Sequence, residues 1–112
     1  MKRPPRDETP LGTFEEQILL AVLRTRSEAY GMSVRREIED VTGRELAVGA
    51  VYATLDRLES KGLVSSRRAE AEGVSRRLFA VTPAGARALA ESRAMRERLW
   101  RGVELKALLA AG

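Results

Sequence analysis

The sequence predicts an α+β fold that is mostly α-helical, with three short helices, a two-stranded β hairpin and a long C-terminal helix. Three observations support this prediction. Apolar residues recur at helical spacing through residues 14–60, the pattern changes to short strand-like runs within 63–81, and helix-forming composition returns from residue 83. A chain of 112 residues without an internal repeat is expected to form one such domain.

The first helix is predicted over residues 14–26. Thr13 and Glu16 have the spacing of a capping box, in which a side chain at each end of the first turn bonds the backbone. The residues that recur at helical spacing behind this cap are Phe14, Ile18, Leu19, Val22 and Leu23. This pattern predicts an amphipathic helix with one buried face.

Two further amphipathic helices are predicted over residues 33–42 and 48–61. Gly43 is placed as the C-cap of the second helix, and Gly62 ends the third. Only about four residues join these two helices, which is the spacing of a helix-turn-helix motif. In that motif the second helix enters the major groove of DNA, so residues 48–61 form the predicted recognition helix.

A β hairpin is predicted from strands at residues 63–68 and 75–81, which are rich in β-branched, Leu, Phe and Arg residues. Residues 69–74 form the polar connection. If Phe79 faces the core, Arg77 lies on the same face, nearer the tip. We call this hairpin the wing.

The last helix is predicted to begin at Thr82 as N-cap with Pro83 at its first helical position. Only Gly102 interrupts its composition before about residue 110, so we expect one continuous helix of about 40 Å. The order of elements is that of a winged helix-turn-helix followed by a dimerisation helix. We therefore predict a flexible arm at 1–12, a DNA-binding domain at 13–82 and a dimerisation helix at 83–112.

The composition excludes several classes of protein. Cys and His are both absent, which removes disulfides, thiolate metal sites and the usual general base. The sequence contains neither of two glycine-rich phosphate-binding motifs, G-x-x-x-x-G-K-[ST] and G-x-G-x-x-G. We therefore expect no enzymatic activity, no cofactor and no metal. The longest apolar run, residues 18–23, is too short to span a bilayer, and the basic N-terminus has no apolar segment behind it. We expect a cytoplasmic protein with no membrane partner.

The charge pattern favours DNA as the partner. The chain has 20 Lys and Arg against 16 Asp and Glu, and seventeen of the twenty are Arg, whose planar guanidinium suits phosphate. Arg pairs on adjacent strands place like charges close together, which costs stability unless an anion is bound. The predicted DNA contacts are Arg35, Arg36, Gly49, Ala50, Tyr52, Thr54, Lys61, Arg67, Arg68, Arg76 and Arg77.

Each part of this predicted surface has a simpler explanation as well. The small residues of the recognition helix would allow close approach to base edges, but they also relieve packing against the second helix. The wing could be a solvated edge ribbon kept soluble by its charge. Arg35 and Arg36 could lie on an ordinary solvated helix face.

The last helix carries more apolar surface than its own domain can bury, which marks a partner interface. Its predicted interface residues are Leu89, Met95, Leu99, Trp100 and Val103. Because helix-turn-helix proteins commonly bind DNA as two-fold dimers, a homodimer on a palindromic operator is the simplest prediction. Trp100 could anchor that interface or stack on a flat apolar effector.

The motifs together resemble those of the PadR-like transcriptional regulators. Residues 49–59 read GAVYATLDRLE, similar to the family pattern G-T-L-Y-x-x-L-x-R-L-E, with Ala50 and Val51 in place of Thr and Leu. The sequences ILLAVL at 18–23, AYG at 29–31, KGLV at 61–64 and LFAVTPAG at 78–85 complete the resemblance.

The resemblance implies a dimeric winged helix that usually represses transcription, here in the short form with a single C-terminal helix. In the family that helix also contacts the first helix of the other protomer, which adds Phe14 and Ile18 to the expected interface. The resemblance also places Gly49, Tyr52 and Thr54 at the DNA. Some members bind aromatic effectors at the interface, with Trp100 the candidate contact here. The alternative is a winged-helix adaptor that binds protein and not DNA.

Overall fold

The computed structural model describes residues 11–112 and confirms the mostly helical α+β fold. The predicted arm at 1–12 lies almost entirely outside the described residues. The elements in chain order are α1 (Thr13–Thr25), a 3₁₀ turn (Arg26–Glu28), α2 (Gly31–Thr42), α3 (Val48–Ser60), β1 (Val64–Ala71), β2 (Val74–Val81), α4 (Pro83–Trp100) and α5 (Lys106–Ala111). No helix within residues 11–112 is both long enough and apolar enough to cross a membrane.

The helix ends differ from the prediction by one or two residues. Gly12, not Thr13, is the N-cap of α1, and its N–H donates to the Glu15 carboxylate at 2.9 Å. Helix α2 begins at Gly31, two residues early, because the Ser33 hydroxyl accepts the Tyr30 N–H at 3.0 Å. Gly43 ends α2 with a φ of +73°, as predicted for a left-handed C-cap.

The core lies between the first three helices and the wing. Its fully buried side chains include Ile18, Leu19, Val34, Val51, Leu55, Leu58 and Val64. Phe79 closes the core from the wing, and its N–H donates to the Ala29 carbonyl at 2.8 Å. Ile18 therefore belongs to the core of its own protomer, and the prediction that it lies at a dimer interface is wrong.

The wing is longer than predicted. Its two antiparallel strands pair from Val64 opposite Val81 to Ala71 opposite Val74, which leaves a loop of only Glu72 and Gly73. Both loop residues have positive φ, at +55° and +77°, as a type I′ turn requires. The polar connection predicted over residues 69–74 is therefore largely strand.

The C-terminal region is two helices, not one. Helix α4 ends at Trp100, residues 101–105 are not helical, and α5 resumes at Lys106. Gly102, with a φ of +79°, lies in the break. Helix α4 therefore extends about 27 Å, and the predicted continuous helix of about 40 Å is wrong. At its start, a Cβ on Gly85 would lie 2.2 Å from the Leu63 carbonyl oxygen, so glycine allows α4 to pack closely on the domain.

Candidate nucleic-acid interface

The N-terminal half of α3 presents small side chains to solvent. Val48, Gly49, Ala50 and Ala53 are exposed, whereas Val51 faces the core. The N-cap residue of α3 has no side-chain acceptor for the first N–H groups of the helix. Unbonded N–H groups and the positive end of the helix dipole both favour an anion at this end.

Tyr52 joins α3 to the start of α2. A Cβ on Gly31 would lie 2.3 Å from Cζ of Tyr52, so the phenol ring occupies the space that only a glycine leaves. The Tyr52 side chain nevertheless remains 38% exposed. It is therefore both a packing residue between two helices and accessible to a ligand.

Thr54 does not reach the surface. It is 3% exposed, and its hydroxyl accepts a hydrogen bond from Arg57 at 3.3 Å. The prediction that Thr54 contacts DNA is therefore wrong, because the side chain is enclosed by its own protomer.

Arg77 attaches the wing to α3. Its Nη1 lies 2.8 Å from Oδ1 of Asp56, its Nη2 pairs with Glu59, and its Nε donates to the Ser66 hydroxyl at 3.1 Å. The hydrogen bond with Asp56 is the main cause of a raised pKa for Arg77, and hydrogen bonds from Ser66 and Arg77 lower the pKa of Glu59. Arg77 thus has two anionic partners inside the protomer, although it lies directly opposite Arg68 in the strand register.

Lys61 is likewise engaged within the protomer. Its Nζ lies 2.8 Å from Glu15 Oε2, and Arg57 Nε lies 3.3 Å from the same oxygen. Burial raises the pKa of Glu15, but hydrogen bonds from Lys61, the Gly12 N–H and Arg57 outweigh it, so the pKa lies below the usual value. Glu15 thereby ties the start of α1 to the end of α3.

Arg35 and Arg36 have different surroundings despite being neighbours. Arg35 Nε lies 3.3 Å from Glu39, whose carboxylate also accepts the Leu46 N–H at 2.8 Å and so holds the turn between α2 and α3. Arg36 instead donates to the Tyr30 hydroxyl at 3.2 Å. The guanidinium of Arg76, from the wing, lies 4.2 Å from the centre of the same ring.

Arg67 and Arg68 are exposed, and neither has an ion-pair partner among residues 11–112. Because alternate strand residues point to opposite faces, each lies on a different face of the wing. Together with Arg36 and Arg76, they are the predicted basic contacts whose charge is not matched by a carboxylate within the described chain. Lys61, Arg35 and Arg77 have such a match.

The predicted dimer residues fall into two groups. Phe14 and Leu89 are half-buried against the core, and Met95 is also partly buried. Leu99, Trp100 and Val103 are exposed by 71%, 56% and 50% near the break between α4 and α5. The role of Trp100 as an effector contact remains a prediction.

A groove between α1 and α4 was missed by the sequence analysis. Its volume is about 470 Å³, and its lining residues are Glu16, Leu20, Leu23, Ala86, Leu89, Ala90, Arg93 and Arg96. Leu20 and Leu23 are exposed by 45% and 50%. The sequence did contain a feature that predicts this groove. Residues 18–23 are all apolar, and a helix that is apolar all round has more than one face to bury.

Residues 11–112 contain no group of three or more acidic side chains placed to hold a metal ion. The described residues present an exposed start of α3 and a basic hairpin that contacts the second half of the same helix through Arg77.

Comparisons with known proteins agree with this arrangement. The model of the Transcriptional regulator PadR-like family matches residues 19–91. The chain is 38% identical over 77 residues to Transcriptional regulator Rv3488 of Mycobacterium tuberculosis, a match that covers 69% of this chain and 71% of that protein.

Solved structures give the same result. A PadR-like transcription factor from Bacteroides fragilis superposes with a TM-score of 0.67 at 26% identity, covering 79% of this chain and 84% of that one. A PadR family transcriptional regulator from Eggerthella lenta superposes with a TM-score of 0.65 at 27% identity, covering 85% and 82%. The family and these relatives are transcription regulators and not enzymes. The fold and these matches together show that the chain belongs to the PadR-like family of transcriptional regulators.

Proposed function

We propose that the protein represses transcription by binding a palindromic operator as a homodimer, with α3 in the major groove and the wing on the adjacent backbone or minor groove. The observation that carries this proposal is the exposed N-terminal half of α3, whose first turn has no side-chain cap, in a domain whose wing carries arginines that no carboxylate within residues 11–112 matches. Membership of a family of transcriptional regulators supports the same partner.

The small side chains of α3 favour contact with base edges. Gly49 and Ala50 are exposed, and no other side chain lies within 4 Å of the position that a Cβ on Gly49 would take. A methyl group at Ala50 suits the 5-methyl group of thymine, and the exposed part of Tyr52 suits a backbone phosphate. The helix would therefore read bases with its first turns while Tyr52 fixes its position.

The wing supplies contacts that do not depend on sequence. Arg67 and Arg68 lie on opposite faces of a two-stranded ribbon, so both sides of the wing offer a cation to the DNA. The ion pairs of Arg77 hold this ribbon against α3. The recognition helix and the wing are thus presented to DNA as one unit.

The dimer would be formed by the apolar surfaces that the protomer leaves uncovered. The groove between α1 and α4 exposes Leu20 and Leu23, while Leu99, Leu108 and Leu109 of the C-terminal region are each more than 70% exposed. In a two-fold dimer the C-terminal region of each protomer would cover the groove of its partner. Such an arrangement places two recognition helices on half-sites about 34 Å apart.

Binding of the full chain to a fluorescent duplex carrying the region upstream of its own gene tests this proposal. We expect tight binding, a steep decrease in affinity with salt, and two protomers per site by light scattering. Reporter expression from the same region should rise when the gene is deleted. Binding no tighter than that to an unrelated duplex would contradict the proposal and favour a protein partner.

A further inference from the structure

Two pairs of adjacent arginines, Arg35 with Arg36 and Arg76 with Arg77, show the same pattern of ion pairing: one member of each pair has a carboxylate partner and the other has none among the described residues. Arg77 has Asp56 and Glu59 as partners and Arg35 has Glu39, whereas their neighbours Arg76 and Arg36 have no carboxylate within 4.0 Å among residues 11–112. One cation of each pair is therefore used within the protein, and the other is left unmatched.

The two unmatched arginines converge on one side chain. The Arg76 guanidinium lies 4.2 Å from the centre of the Tyr30 ring, and that of Arg36 lies 6.0 Å from it. Arg36 Nη2 also donates to the Tyr30 hydroxyl at 3.2 Å. The phenol thus binds one cation through its ring and the other through its oxygen.

Both guanidiniums lie within 6.0 Å of the centre of one ring, so these like charges repel one another, and the phenol offsets the repulsion only in part. Glu28 acts on the Tyr30 phenol through space but lies beyond ion-pair distance of both guanidiniums. A bound anion would satisfy both cations. Guanidinium groups bind phosphate oxygens with two parallel hydrogen bonds, so a phosphodiester is the anion that this pair fits best.

The position of the cluster connects it with the recognition helix. Tyr30 precedes Gly31, against which the Tyr52 ring of α3 packs, and Arg76 lies on the wing. A phosphate held here would lie between the two elements that approach DNA. Arg36 reaches the same place from α2.

We propose that Tyr30, Arg36 and Arg76 form a clamp for a single backbone phosphate of each DNA half-site, whereas Arg77 positions the wing and binds no phosphate. This inference rests on the proposed function, because it takes duplex DNA as the partner. It assigns different roles to the adjacent Arg76 and Arg77, both of which are predicted from the sequence to contact DNA.

The test is the salt dependence of DNA binding by the full-length protein. Affinity is measured between about 50 and 200 mM salt for the upstream duplex and for an unrelated duplex of equal length. The variants are Arg36→Ala, Arg76→Ala, the double variant and Tyr30→Phe. Arg87→Ala is the matched control, because it removes one charge from an exposed position on α4 that has no ion pair within residues 11–112.

The double variant should bind both duplexes more weakly by the same factor, with a salt slope reduced by about 0.9 per half-site, as for loss of one phosphate. Tyr30→Phe, which releases Arg36 from the hydroxyl, should weaken binding less than the double variant. Arg87→Ala should leave the slope unchanged.

Two results would overturn the clamp while the wild type still binds DNA. A slope reduced by about 1.8 per half-site would mean that the arginines contact separate phosphates. An unchanged slope and affinity in the double variant would mean that the cluster does not contact DNA. If the wild type itself shows no salt-dependent binding, the proposed function fails, and the clamp fails with it.

Discussion

The substitution Glu15→Gln tests whether a buried carboxylate holds α3 to α1. Glu15 is 7% exposed, and it accepts hydrogen bonds from Lys61, Arg57 and the Gly12 N–H. Glutamine has nearly the same shape and retains an oxygen for the Gly12 N–H. The substitution therefore removes the charge and leaves the cap in place.

The size of the expected loss in the free energy of unfolding follows from how exposed the Lys61 and Arg57 side chains are. Removing one partner of a fully buried ion pair costs about 3–5 kcal/mol, because the remaining charge stays buried. Here the Lys61 and Arg57 side chains are 41% and 52% exposed, so both regain water when the carboxylate is lost. We therefore expect the free energy of unfolding to fall by about 1–2 kcal/mol at neutral pH, which lies between the values for a fully buried and a surface ion pair. This corresponds to a decrease in Tm of about 4–8 °C.

The pH dependence has a definite sign. The pKa of Glu15 is lower in the folded protein than in the unfolded chain, where a glutamate has a pKa of about 4.3. A group with a lowered folded pKa stabilises the fold above its unfolded pKa, and this contribution is lost as the pH falls through the folded pKa. The stability difference between wild type and Glu15→Gln should therefore be complete at pH 7 and shrink below about pH 4.

The assay is urea unfolding followed by circular dichroism at several pH values, at one protein concentration because the proposed dimerisation would contribute to stability. Glu91→Gln is the matched control, since Glu91 is exposed and has no ion pair among the described residues. If Glu15→Gln were no less stable than Glu91→Gln, or if the difference did not change with pH, the structural role of the buried carboxylate would be refuted.

Three further substitutions test other parts of the structure. Gly31→Ala places a methyl group 2.3 Å from the Tyr52 ring and should cost about 1–3 kcal/mol in thermal unfolding; a smaller cost when Tyr52 is also replaced by Ala would confirm the contact. Arg77→Ala should speed amide hydrogen exchange in the wing relative to α2, and unchanged protection would show that its ion pairs do not hold the wing. Leu23→Asp changes a half-exposed groove residue and should yield folded monomers by light scattering, whereas an intact dimer would contradict the proposed interface.

Local signals in the sequence were sufficient for most of the fold. Helical spacing, the strand-like runs and Gly43 identified the elements, because each reflects an interaction within a few residues. The prediction of one continuous C-terminal helix failed although a local signal was available. Gly102 is the one break in the helix-forming composition, and it adopts the left-handed conformation that glycine takes without strain at a helix end.

The candidate site was harder to predict, because a sequence does not show which charges are already matched. Lys61 pairs with Glu15, 46 residues away, and Arg77 pairs with Glu59 from another element. Thr54 is different, since its spacing from Val51 and Leu58 places it on the apolar stripe of α3. That signal was available, and a polar side chain there should have been expected to be buried.

The proposed function requires the exposed start of α3 to enter the major groove. The most direct test compares Ala50→Glu with Ser60→Glu, which place the same charge on exposed positions at opposite ends of that helix. Binding to the upstream duplex is measured by fluorescence anisotropy, with dimerisation checked by light scattering. Ala50→Glu should remain folded and dimeric but lose sequence-selective binding by about 100-fold or more, since a carboxylate would face base edges and phosphates, while Ser60→Glu should bind nearly as wild type. Equal affinities for the two variants would contradict the assignment of α3 as the recognition helix.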